Sequence, residues 1–177
     1  MNDAKLALPA TVASTVQYVP DSGLAVGSTW RPEQQIKVKV IGLVWRERQL
    51  LVAEVTLSTG QLAGVRPLGG SVEFGETRET ALVREFGEEL GTAIEIVGPW
   101  MALENLFEYE GALGHEIVFA AEIRLADRQI HARDAFLFHE ADGTPCRARW
   151  VSLDDLRASG TKLFPVGLLE ALERFPT

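Results

Sequence analysis

A chain of 177 residues, 46% hydrophobic and 24% charged, has the length and ordinary globular composition for one well-buried core. Its net charge of -8 argues against broad nucleic-acid binding, which needs a basic footprint, and the single Cys146 excludes an intrachain disulfide framework and fits a reducing, cytoplasmic setting. No apolar run approaches the ~18 residues of a membrane span, and the first residues lack a charged-then-apolar leader.

Residues 1–34 carry weak periodicity and many turn formers, among them Pro9, Pro20, Asp21, Ser22, Gly23, Gly27 and Pro32. They predict a loosely structured arm, with a short strand near residues 24–26, that either packs on a second copy of the chain or stays mobile. The domain proper is expected over 35–177. It opens with residues 36–45, where Lys37 and Lys39 alternate with Ile36, Val38 and Val40, the pattern of a half-buried strand. A polar turn at 46–49 leads to a return strand over 50–56. A loop at 58–60 and a short strand over 62–65 follow, and Arg66-Pro67-Leu68 carries the chain into Gly69-Gly70.

Residues 69–92 read GGSVEFGETRETALVREFGEELGT, a glycine turn feeding a helix. Thr77 is the expected N-cap, Glu79 lies in the first turn, and Gly91 is placed to be the left-handed residue after the last turn. Leu82, Phe86 and Leu90 recur at helical spacing and form the buried ridge. Glu85, Glu88 and Glu89 share a face beside it, with neighbours about 5–6 Å apart. At an effective dielectric of about 20, each such pair repels by roughly 3 kcal/mol. Two readings compete: a solvated acidic face with Arg84 paired to Glu88, or a site for a hard divalent cation, which takes carboxylate oxygens.

Beyond the helix, residues 93–104 look strand-like with a break at Gly98-Pro99, and 105–114 read as a polar, aromatic loop. Residues 115–123 are the cleanest strand. Strands over 136–138 and 147–151 flank the turn Ala141-Asp142-Gly143. Ser152 is the expected cap of a short helix, and residues 164–175 predict a terminal amphipathic helix with Pro165 in its first turn. Strands outnumber helices, and the helices are separated by hairpins. That favours an α/β fold with a mixed sheet between helices over a doubly wound parallel sheet.

The stretch 69–92 resembles the signature of the Nudix hydrolase family, Gly-x5-Glu-x7-Arg-Glu-U-x-Glu-Glu-x-Gly-U, with U a bulky apolar residue. Gly70, Glu76, Arg84, Glu85, Phe86, Glu88, Glu89 and Gly91 match; Thr92 stands where the family prefers an aliphatic residue. The resemblance implies an α/β/α sandwich with a mixed sheet. It further implies a hydrolase that cleaves a pyrophosphate linkage in a nucleoside diphosphate derivative by water attack at phosphorus, with Mg²⁺ or Mn²⁺ as cofactor. Glu85, Glu88 and Glu89 are then the carboxylate ligands, one of them serving instead as base, with a carbonyl of Gly69 or Gly70 beside them. Arg84, directed away from the carboxylate face by helical geometry, and Glu76 would orient the cluster. The rival reading is a binding module of the same fold that holds a nucleotide metabolite without cleaving it, but such a module is expected to lose ligands that are all present here.

Outside the signature, Lys37, Lys39 and Arg66 either touch substrate phosphates or, for the lysines, guard a sheet edge. Glu116 and Glu140 are candidates for an extra ligand or base, against the plainer reading of strand-end and loop carboxylates in solvent. His115 reads as a turn or cap residue. Phe107 and Tyr109, in the expected loop, either stack on a ring of the substrate or cover the core. Cys146 looks structural, which counts against an isoprenoid isomerase that uses a catalytic cysteine.

Overall fold

The computed structural model describes residues 32–140 and 143–174. The expected strand near 24–26, most of the N-terminal arm and part of the 141–143 turn lie outside them. The described residues form nine strands and four helices in two sheets.

In the first sheet β1 (Ile36–Leu43) runs parallel to the long β7 (Ala112–Leu125), from Ile36 opposite His115 to Leu43 opposite Glu122. β6 (Met101–Tyr109) and the short β5 (Ile94–Ile96) pair antiparallel with β7. The second sheet is antiparallel throughout. β3 (Gln49–Thr56) pairs with β2 (Trp45–Arg46), β4 (Leu62–Arg66) and β9 (Pro145–Ser152), and β9 pairs with β8 (Ala135–His139).

Alternation along the strands divides the apolar residues between two clusters. Val40, Leu51, Ala53 and Ile123 pack with Leu82 and Phe86 of α1 (Arg78–Leu90) on one side. Ile41, Leu50, Val52, Val65 and Val118 pack on the other with Leu156 of α3 (Leu153–Ser159) and Leu168 and Leu172 of α4 (Leu168–Arg174). Helices therefore cover the sheets from both sides, and the expected α/β/α layering with mixed strand directions is present.

Two expectations need correction, and one element was not foreseen. Residues 105–114 are not a loop: β6 runs through Tyr109, turns at Glu110 (φ 48°) and Gly111 (φ 78°), and returns as β7 from Ala112. The two positive-φ residues make the tight hairpin turn, and Glu-Gly lacks the Asn or Asp that usually announces one. The last helix begins at Leu168 rather than 164, because Gly167 takes a left-handed φ of 86° and a turn from Pro165 to Leu168 precedes it. A one-turn helix, α2 (Arg128–His131), capped by Asp127, has no counterpart among the expectations.

The edge of β1 away from β7 is also occupied. The Val40 amide donates to Gly70 O (2.9 Å), the Gly42 amide to Leu68 O (3.0 Å), and the Val72 amide to Val38 O (2.9 Å). The strand that carries Lys39 is thus closed by the segment that carries the two glycines, and the edge-guard reading fails for that lysine.

Candidate active site

α1 starts and stops as its sequence predicts. Thr77 Oγ1 accepts from the Thr80 amide at 3.2 Å, and Gly91 ends the helix at φ 63°. At the start, the Arg78 guanidinium lies 4.8 Å from the Trp100 ring centre and 5.3 Å from that of Phe119, clamping the first turn to the sheet. Phe86 is fully buried over Gly42, where a Cβ would come within 2.7 Å of the ring. The helix is therefore held close to β1, and its acidic side comes to lie against residues 69–70.

The three carboxylates do not share one environment. Glu85 and Glu89 are 8% and 9% exposed, whereas the Glu88 side chain is 51% exposed. Glu85 lies against Gly70, where any Cβ would overlap its carboxylate. Burial pushes the Glu85 carboxyl above its ordinary range, against the pull of Arg84. Glu89 is pushed up to about 8, first by burial, while Arg66 and the Gly69 amide work the other way and Glu140 and Glu85 add to the rise. Its Oε2 is buried with no hydrogen-bond partner.

Gly69 has φ 133°, and a Cβ there would overlap the Val40 carbonyl. Both features require glycine at this approach. The two candidate carbonyls already have protein partners, Gly70 O in the Val40 amide and Gly69 O in Arg66 Nη1 at 3.3 Å.

Arg84 answers the repulsion on the helix, and it does not point away from the carboxylates. It grips Glu76 with two donors, Nε to Oε1 at 2.8 Å and Nη2 to Oε2 at 3.0 Å. Nη1 reaches Glu85 (3.1 Å) and Glu88 (3.0 Å), and Nη2 also donates to the Ser71 carbonyl (2.9 Å). These bonds depress the Glu76 carboxyl and raise the Arg84 guanidinium. Arg84 thus ties the helix to both ends of the glycine loop.

The weaker candidates separate. Lys39 is half-buried, and its partial loss of solvent lowers its ammonium, which Glu116 and Glu85 offset. Lys37 turns outward to Glu33 at 3.2 Å. Arg66 spends donors on Pro67 O, Gly69 O and an ion pair with Glu140, so it frames the site from the β4 side. Glu140 follows β8 and is held by Arg66 rather than standing in solvent. Glu116 lies inside β7 and accepts from Asn105 Nδ2 at 2.8 Å.

Phe107 packs over Gly114 and His115 contacts Glu104 at 3.1 Å, both within the β6–β7 hairpin, while the Tyr109 hydroxyl ties that hairpin to β3 by donating to Thr56 O at 2.8 Å. Cys146 lies 3.4 Å from Glu140, and burial first, then Glu140, pushes its thiol up to about 11. The sequence reading missed Asn105, which is 3% exposed, because a lone asparagine in a polar stretch reads as loop.

Among the described residues, no three His, Cys, Asp or Glu side chains already stand together as a metal cage. Arg84 holds Glu85 and Glu88, while Glu89 turns toward Arg66 and Glu140. The donor set nonetheless suits a hard divalent cation: two buried carboxylates, one with an unpartnered oxygen, beside a backbone that approaches without side chains. None of the described helices is long and apolar enough to cross a membrane.

A family model described as the NUDIX domain matches residues 35–172. Among solved structures, a NUDIX hydrolase from Nitrosomonas europaea is 18% identical, aligned over 80% of this chain and 88% of its own, at a TM-score of 0.56. The E. coli ORF135 protein, at 23% identity, aligns over 80% of this chain and 94% of its own at 0.49. A MutT NUDIX hydrolase from Burkholderia pseudomallei, at 22%, aligns over 68% and 86% at 0.43. The likeness in fold rests on the first of these. A search of the curated proteins found no match.

Proposed function

Because this chain belongs to the Nudix hydrolase family, whose members cleave pyrophosphate bonds, we propose that it is a divalent-metal-dependent enzyme acting on a nucleoside diphosphate derivative by water attack at phosphorus. The observation that carries this reading is the buried pair Glu85 and Glu89 against Gly69-Gly70, with one Glu89 oxygen left unpartnered. Leaving a buried carboxylate oxygen without a partner is costly unless something else meets it.

Glu85, Glu89 and the more exposed Glu88 would hold Mg²⁺ or Mn²⁺, with a carbonyl of Gly69 or Gly70 beside them. Such an ion, when bound, neutralises phosphate charge and lowers the pKa of bound water. Arg84 holds Glu85 and Glu88 in place, and Glu76 anchors Arg84 in turn. Lys39 is the cation best placed for a substrate phosphate, since Lys37 turns out to Glu33 and Arg66 is engaged with Glu140. The single cysteine fits a cytoplasmic setting.

The test is a hydrolysis screen over nucleoside triphosphates, dinucleoside polyphosphates and sugar nucleotides with Mg²⁺ and Mn²⁺, run in ¹⁸O-water. Label in one phosphate product is expected, and EDTA should abolish turnover. Glu85→Gln or Glu89→Gln should lower kcat at least about a hundredfold, since each removes charge that stabilises the transition state. Full turnover in metal-free buffer, or unaffected glutamine variants, would remove the helix from the mechanism.

A further inference from the structure

Lys37, Lys39 and Ile41 share one face of β1, Glu116 and Val118 the matching face of β7, and Met101, Leu103 and Asn105 that of β6. Farther along, this face packs into the cluster around Ile41 and Val118. At its polar end Glu116 lies opposite Lys37 on one side and Asn105 on the other, with Lys39 one step along β1 on the same face. Lys37 goes out to Glu33, which leaves the half-buried Lys39 as the lysine of this face that feels the Glu116 charge.

Asn105 is buried, and both ends of its amide are used. Nδ2 donates to Glu116 Oε2 at 2.8 Å, and Oδ1 accepts from the Val166 amide at 3.0 Å. Val166 follows a segment that runs beside β4: the Val65 amide donates to Lys162 O at 2.8 Å, and the Phe164 amide donates to Val65 O at 2.8 Å. β4 then leads through Arg66 to the two glycines. One side chain thus joins the strands carrying Lys39 and Glu116 to the segment that flanks the approach to Gly69. A buried amide costs free energy unless both ends are satisfied, and here one bond goes to Glu116 of β7 and the other to the segment beside β4.

We propose that Asn105 is a positioning residue for substrate binding: through Glu116 it holds Lys39 where a substrate phosphate meets it, and through Val166 it holds the neighbouring wall at a fixed distance. This rests on the reading of Lys39 given above. The role lies in binding rather than in the chemical step, because Asn105 reaches none of the helix carboxylates in its hydrogen bonds.

The test combines Asn105→Leu, Glu116→Gln and Lys39→Met in a double-mutant cycle. Steady-state kinetics would use the substrate of the screen that the parent cleaves fastest. Calorimetric binding of inorganic tripolyphosphate would give a readout independent of turnover. Asn105→Leu should raise KM and weaken tripolyphosphate at least about tenfold, with kcat within about twofold. In the Lys39→Met background it should add less than about twofold, because coupled residues are not additive.

Glu116→Gln keeps an acceptor for Asn105 while removing the charge. It should reproduce the binding loss, and it replaces the leucine variant should that one not fold. Unchanged KM in Asn105→Leu or Glu116→Gln, independent multiplication with Lys39→Met, or a fall in kcat at constant KM would overturn the proposal. So would a normal KM in Lys39→Met, which leaves the hydrolase reading standing. A parent that cleaves nothing in the screen fails at that earlier reading instead.

Discussion

Glu89 holds its proton far above the ordinary carboxylate value of 4.5, at about 8, and this has a measurable sign in the metal-free protein. The folded form binds the proton more tightly than the unfolded chain, so stability falls as pH rises wherever the two differ. The contribution is fully present below about 4.5 and is lost as pH passes through about 8. We expect the melting temperature in EDTA to drop between pH 5 and 8.5, and Glu89→Gln to flatten that slope; parallel slopes for the two proteins would contradict the assignment. The sequence placed Glu89 on the correct helix face through its spacing. It did not separate Glu89 from Glu88, because burial depends on Arg66, Glu140 and Gly69, which arrive from β4, the end of β8 and the loop. Arg84 was misjudged for a related reason. Helical geometry fixes where its Cβ points, but four rotatable bonds let the guanidinium return across the face to Glu85 and Glu88.

At the scale of elements, α1 was legible almost whole, since caps, ridge and terminal glycine are local signals. The β6–β7 hairpin was not, because Asn105 stands on the covered face of β6 and Leu106 on the exposed one, and its turn uses Glu110-Gly111. Also hidden was the reason for Gly42, which no local rule requires in mid-strand. A Cβ there would meet the Ile123 side chain at 2.6 Å and the Phe86 ring at 2.7 Å, both buried and without room to retreat. Gly42→Ala should therefore cost about 1–3 kcal/mol through overpacking. In a domain of this size that lowers the melting temperature by roughly 3–10 °C. An unchanged melting curve would show that the helix can move off the sheet at little cost. Thr92, the one departure from the family signature, is buried and accepts from the Asp127 amide at 3.2 Å, so its hydroxyl helps fix the entry to α2.

For the molecule as a whole, metal and fold should be linked. Any ion that binds the folded chain alone stabilises it by mass action, about 2.7 kcal/mol at a hundred times its dissociation constant. With Glu89 among the proposed ligands, binding would displace its proton, so the gain in melting temperature from Mg²⁺ should be larger at pH 8 than at pH 6. Thermal scans at the two pH values check this, and an equal gain at both would place the ion elsewhere. The parallel pairing of β1 with β7 has a kinetic consequence. α1 can form from local contacts, but the glycine loop it faces is seated on β1, and β1 is completed only by a strand from the far half of the domain. Closing that long loop is slow compared with winding a helix. The helix can therefore wind before the surroundings that bury Glu85 and Glu89 are in place, and we expect that burial to come late in folding.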